Sequence, residues 1–151
     1  MSWYNVVTHD ITKIPDAIIY FQSELENAKK ECKISGSLEK SSASLPGIVE
    51  NRFSQLQEIE AILEYLNIEL KRIKSHYFRK YLESYAKALS SRECDKYVEG
   101  EAEVVSFEKL INEFALLRNQ WLSIHKALDI KQWQLTNIIK LRCSGFDDAS
   151  V

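Results

Sequence analysis

The sequence predicts an all-α protein, and two observations carry that prediction. Only four glycines and two prolines occur in 151 residues, so helix breakers are too scarce to punctuate many short strands and tight turns. Two long stretches also repeat apolar residues at alternating steps of three and four, the period of a helix face. With 45% hydrophobic and 28% charged residues, the chain has the balance of one ordinary helical domain over 1–151.

The spacing of Ile18, Phe21, Leu25, Ala28 and Cys32 predicts an N-terminal helix over 16–33, with Pro15 as its entry residue. Residues 35–46 are rich in serine and weakly hydrophobic, and read as a flexible linker closed by a turn at Pro46-Gly47. A second helix follows over 47–89, with Leu56, Ile59, Leu63, Leu66, Leu70, Ile73 and Tyr77 in one heptad seam. Residues 90–100 hold several turn formers without a clear period and read as loop or frayed helix within a connection over 90–105; Val104-Val105 is too short for a strand. The third helix, over 106–142 with Ser106 as its cap, repeats the seam through Phe107, Leu110, Phe114, Leu117, Trp121, Ile124, Leu128, Lys131, Leu135 and Ile138. One lysine interrupts that apolar row. Residues 143–151 form a short acidic tail in which Phe146 is the group able to dock on a partner.

At about 1.5 Å rise per residue, helices of this length extend roughly 50 Å or more, too far for a compact three-helix ball. They are expected to pair as a long antiparallel hairpin with coiled-coil-like seams, the N-terminal helix covering part of it. Ile62, Tyr65 and Ile68 widen the apolar stripe of the second helix, and Ile111, Leu116, Leu122, Ile130, Trp133 and Ile139 widen that of the third. A two-stranded seam cannot cover so much. A homo-oligomeric bundle or ring is therefore expected, with Leu117, Trp121, Ile124, Leu128, Leu135 and Ile138 as oligomerisation residues and with the seam at Lys131 and the C-terminal stripe carrying Trp121 and Trp133 as subunit contacts.

Charge supplies the candidate site. The formal net charge is −2, yet residues 71–80 gather Lys71, Arg72, Lys74, His76, Arg79 and Lys80 around the aromatics Tyr77 and Phe78. Glu58, Glu60 and Glu64 precede the run, and Glu99, Glu101, Glu103 and Glu108 follow it. On a helix, Arg72, His76 and Arg79 fall on one stripe with Lys71 and Lys74 to either side, a cationic ridge for phosphates. Tyr77 belongs to the seam, whereas Phe78 and Tyr81 are placed to stack on unpaired bases. The pattern therefore fits single-stranded nucleic acid better than duplex, bound with little sequence preference and strong salt dependence. DNA and RNA are not distinguished by it.

Catalysis is poorly served. His9, His76 and His125 stand in no HExxH or triad context, and no phosphate-cradling glycine loop is present, so neither an enzyme nor a cofactor is expected. Cys32, Cys94 and Cys143 have neither disulfide nor zinc spacing. No apolar stretch approaches the roughly 18 residues that span a bilayer, and the start lacks the regions of a signal peptide, so a cytoplasmic protein without membrane contact is expected.

The stretch 70–78, the acidic connection 95–99 with Tyr97, and the long helix ending in Asp129-Ile130-Lys131-Gln132-Trp133 through Arg142 follow one another in an order that resembles the UvsY-like recombination mediators of T-even-type bacteriophages. The resemblance covers residues 47–142 and leaves 1–44 without a counterpart. It implies a non-enzymatic, ring-forming helical protein, hexameric or heptameric, in the host cytoplasm. Such a protein binds single-stranded DNA and helps load a recombinase onto strands coated by single-stranded-DNA-binding protein. The family's basic-x-basic pair before two aromatics corresponds to Arg72 and Lys74 ahead of Tyr77-Phe78, and its self-assembling helix to residues 117–139. Arg79-Lys80-Tyr81-Leu82 stand where the family has a glycine-containing break. The competing readings are a non-catalytic helical adaptor or structural protein, and an RNA-binding helical protein.

Overall fold

The computed structural model describes residues 2–84 and 88–146. Among them are five α-helices and no strand: α1 (Trp3–His9), α2 (Ile14–Glu31), α3 (Leu38–Ser84), α4 (Ser91–Glu99) and α5 (Ala102–Cys143), with a 3₁₀ turn over Ile11–Lys13 before α2. The chain is all-helical.

The N-terminal residues ahead of the expected first helix form α1. Val7 is fully buried, and both the Ser2 hydroxyl (2.6 Å) and the Tyr4 amide (2.9 Å) donate to the Glu58 carboxylate of α3. In α2, Pro15 occupies the first turn, where its missing N–H costs nothing. The face formed by Ile14, Ala17, Phe21, Leu25 and Ala28 is buried. A turn at Ser35-Gly36-Ser37 then reverses the chain, with Gly36 in the left-handed region at φ 73°.

The linker expected over 35–46 is cut to residues 35–37. From Leu38 onward those residues are the first turns of α3, and Pro46 and Gly47 lie inside the helix instead of in a turn. Proline forgoes only its own bond to the Ser42 carbonyl. Leu45 is buried, and with Val49 and Phe53 it lines an apolar groove of about 550 Å³ against Leu135 and Ile139 of α5. Tertiary burial holds the helix across its breaker.

At the far end α3 is described to Ser84; of the expected continuation to 89, residues 85–87 lie outside the described residues and 88–89 are not helical. The expected irregular connection contains α4. Its capping box is complete: the Ser90 side chain accepts from the Glu93 amide (3.4 Å), and the Glu93 carboxylate accepts from the Ser90 amide (2.9 Å). The Ser90 amide and the Ser90 hydroxyl (2.7 Å), both donating to it, hold the Glu93 carboxyl below its ordinary pKa. α5 starts at Ala102, so Ser106 is interior and caps nothing. Of the tail, the chain is described to Phe146, which is exposed; residues 147–151 lie outside the described residues.

Contacts along α3 and α5 run in opposite senses. Lys74 meets Glu108 and Tyr77 meets Glu103 at one end, Phe53 stacks near His125 further on, and Leu45 faces Leu135 at the other. Between these ends α2 lies on α5, and Phe21, Ile59, Ile62, Leu66, Phe114, Trp121 and Leu128 are essentially solvent-free. Phe21 meets Trp121 edge-on with centroids 6.4 Å apart. A smaller cluster of Ile73, Val98 and Val104 closes the α4 end.

This core corrects the expected subunit contact. Leu117, Trp121, Ile124, Leu128 and Leu135 are buried within the single chain, and Ile138 is half-buried. Lys131 is buried as well: its ammonium donates to the Glu31 carbonyl at 2.6 Å. α2 and α3 occupy the face that had been assigned to a neighbouring subunit. What stays exposed is the opposite face of α5, with Leu116 at 61%, Ile130 at 58% and Trp133 at 69%.

Candidate nucleic-acid interface

The basic stretch occupies the last third of α3, and its inward row decides what the cations can reach. Ile73 is buried against Val98 and Val104, with Leu70 and Tyr77 packed beside it. That register turns Lys71, Arg72, His76, Arg79 and Lys80 to the surface.

Two predicted contacts are used internally. Lys74 is half-buried and bonded to Glu108 of α5 at 2.7 Å, which ties the two long helices together. Phe78 is also half-buried, packed on the Ile73 cluster and lining a cleft of about 340 Å³ with Val98 and Glu99 of α4. It is a packing residue, not an open platform for a base. Tyr81 is committed likewise: its hydroxyl donates to Glu101, and its ring lies 5.5 Å from that of Tyr97. The Tyr77 hydroxyl donates to Glu103 at 2.6 Å, a bond that raises its pKa.

The remaining cations form a narrower ridge. Arg72 bonds Glu69 one turn back, at 3.0 Å from Nε and 2.9 Å from Nη2, yet its side chain stays 70% exposed. Such a pair, with its guanidinium open to solvent, is weak, so Arg72 can exchange its partner for a phosphate. Lys71 and Arg79 have no ion pair among the described residues. Lys80 lies over the Tyr77 ring, 5.6 Å from its centroid, and His76 meets the same ring edge-on. The acidic residues that follow in sequence are therefore not remote flanks. Glu101, Glu103 and Glu108 fold back onto the inner side of the basic stretch and leave the positive charge on its outer side.

A second polar centre was missed. Arg52 is only 5% exposed and continues the inward row of α3 ahead of Leu56 and Ile59. Its Nε and Nη2 grip both oxygens of Glu31 at 2.7 and 2.8 Å, and Nη1 bonds Glu24 (2.7 Å) and Gln55 (2.8 Å). The guanidinium also sits 5.8 Å from the centroid of the Trp121 ring. The Arg52 and Gln55 bonds hold the Glu24 carboxyl below its ordinary pKa. The signal was a basic residue at a seam position, the same one noticed at Lys131. Its partners, on another helix, could not be read from spacing.

No family model, curated protein or solved structure matches this chain. Among the described residues, no group of three or more His, Cys, Asp or Glu side chains is placed to hold a metal ion, and no helix is long and apolar enough to cross a membrane.

Proposed function

We propose that this chain is a non-catalytic helical protein that binds single-stranded nucleic acid, DNA foremost, along the outer ridge of α3 formed by Lys71, Arg72 and Arg79, with His76 and Lys80 at its margins. The observation that carries this reading is the segregation of charge. Glu108, Glu103 and Glu101 are drawn inward by Lys74, Tyr77 and Tyr81, whereas Lys71 and Arg79 face solvent without an ion pair among the described residues. Lys74 and Phe78 drop out of the contact set.

The finer reading follows the resemblance of residues 47–142. The α3–α5 hairpin is the subunit of a homo-oligomer, and several modest ridges act together on one strand. In that role the protein helps load a recombinase onto DNA coated by single-stranded-DNA-binding protein, by shifting binding equilibria and not by bond chemistry. One observation favours the competing adaptor reading: Arg72 and Lys74 both have carboxylate partners, as on an ordinary solvated face.

Anisotropy of a labelled single-stranded oligonucleotide separates the two. Lys71→Ala with Arg79→Ala is expected to weaken binding about tenfold at low salt and to flatten the salt slope by about 1.4, at about 0.7 per phosphate contact. Unchanged affinity and slope would reject the ridge. An RNA strand of equal length bound in preference to DNA would shift the assignment to RNA.

A further inference from the structure

We propose that the cleft where α2 ends and α3 begins is a second anion site, built for a small free polyphosphate. Lys30, Lys33, Lys40 and Lys131 all line this cleft of about 580 Å³, a volume within the range of about 300–1,000 Å³ typical of small-molecule sites. Four lysines share this cleft in a chain whose net charge is −2. The one carboxylate among the lining residues, Glu31, is already gripped at both oxygens by Arg52.

Lys131 makes the stronger case. Its side chain is 7% exposed, its bond is to a backbone carbonyl, and no carboxylate lies within 4.0 Å of its ammonium among the described residues. A buried ammonium without a close counter-ion is costly, and two of its three N–H donors remain to meet an anion. The bland explanation is that these lysines answer the negative end of α2. It accounts for Lys30, Lys33 and Lys131 but not for Lys40, which stands in the opening turn of α3, where a cation opposes the helix dipole. An anion in the cleft gives Lys40 a counter-charge, while the negative end of α2 is already met by Lys131 at the Glu31 carbonyl.

The site is independent of the ridge. Ser41 in the cleft and Ser75 on the ridge helix are separated by about 50 Å of α3 at about 1.5 Å per residue.

Calorimetric titration of the full chain with sodium tripolyphosphate at low ionic strength, against a sodium chloride blank, tests the assignment. Saturable one-to-one binding is expected. Lys33→Ala with Lys40→Ala, both exposed and outside the core, should weaken it by about tenfold or more, since charge-assisted bonds are the strong ones. Lys131→Met, which keeps the buried volume, should also lose affinity with helix content retained. Lys71→Ala with Arg79→Ala should bind tripolyphosphate as the parent does, and saturating tripolyphosphate should leave a ridge-bound oligonucleotide in place. No saturable heat, or full affinity in the Lys33/Lys40 double variant, overturns the proposal. So does loss of binding in the Lys71/Arg79 variant, which would give the anion to the ridge.

Discussion

Arg52 stands where an apolar residue would complete the inward row of α3, and the fold accommodates its charge by bringing Glu24 and Glu31 of α2 to it. Its value lies in the asymmetry of buried ion pairs: the pair itself contributes little against an apolar replacement, but removing one partner leaves an uncompensated charge. Arg52→Ala is expected to cost about 3–5 kcal/mol in urea unfolding at neutral pH. The same substitution should alter the acid response. Glu24 titrates below its ordinary value of 4.5 in the folded chain, so its contribution is complete above that pH and is lost as pH falls through the lowered folded value. Without Arg52 the largest cause of that depression is gone, and the stability difference between parent and variant should shrink on acidification. A constant difference from pH 7 down to pH 3 would contradict this account.

At the scale of elements, strong periodicity was legible and weak or interrupted periodicity was not. α2 and α5 were placed to within two to four residues at their starts, because each presents a regular apolar row to the core. The opening turns of α3 were hidden behind four serines and a Pro-Gly pair within 37–47, whose local preferences point to a linker. Leu45 and its burial against α5 reverse that preference, a contact 90 residues away in sequence that no local pattern announces. α4 was hidden differently: only Cys94 and Val98 turn inward, and its clearest signature is the Ser90–Glu93 capping box. The basic stretch was found from sequence, but the division of its residues between surface and interior needed the positions of α4 and α5. A test follows at Pro46. Interior proline costs about 3 kcal/mol relative to alanine, and the backbone here is already helical. Pro46→Ala should therefore raise unfolding stability by about 1–3 kcal/mol, with helix content by circular dichroism unchanged or slightly higher. A loss of stability would mean that the ring's packing in the Leu45–Ile139 groove outweighs the restored bond.

For the whole molecule, the excess of apolar surface inferred from sequence divides into two faces with different fates. The face carrying Trp121 and Leu128 is consumed by α2 and α3, so an aspartate there would break the protomer itself. The face carrying Leu116, Ile130 and Trp133 remains exposed, with the uncharged Asn119, Ser123 and Asn137 and one lysine, Lys126, along the same side of α5. Exposed large apolar groups repeated along one helix are what a subunit contact requires, and if α3 ridges act on one strand together, this face is where copies join. Sedimentation of the parent should then give a species several times 17.5 kDa. Ile130→Asp with Trp133→Asp should reduce it to the single-chain mass with helix content intact. Leu128→Asp, by contrast, should lose helix content before any change of assembly can be read. A parent that sediments as a single chain at micromolar concentration would remove the multivalent half of the proposed function and leave the ridge to bind alone, with the weak, salt-sensitive affinity of two or three phosphate contacts.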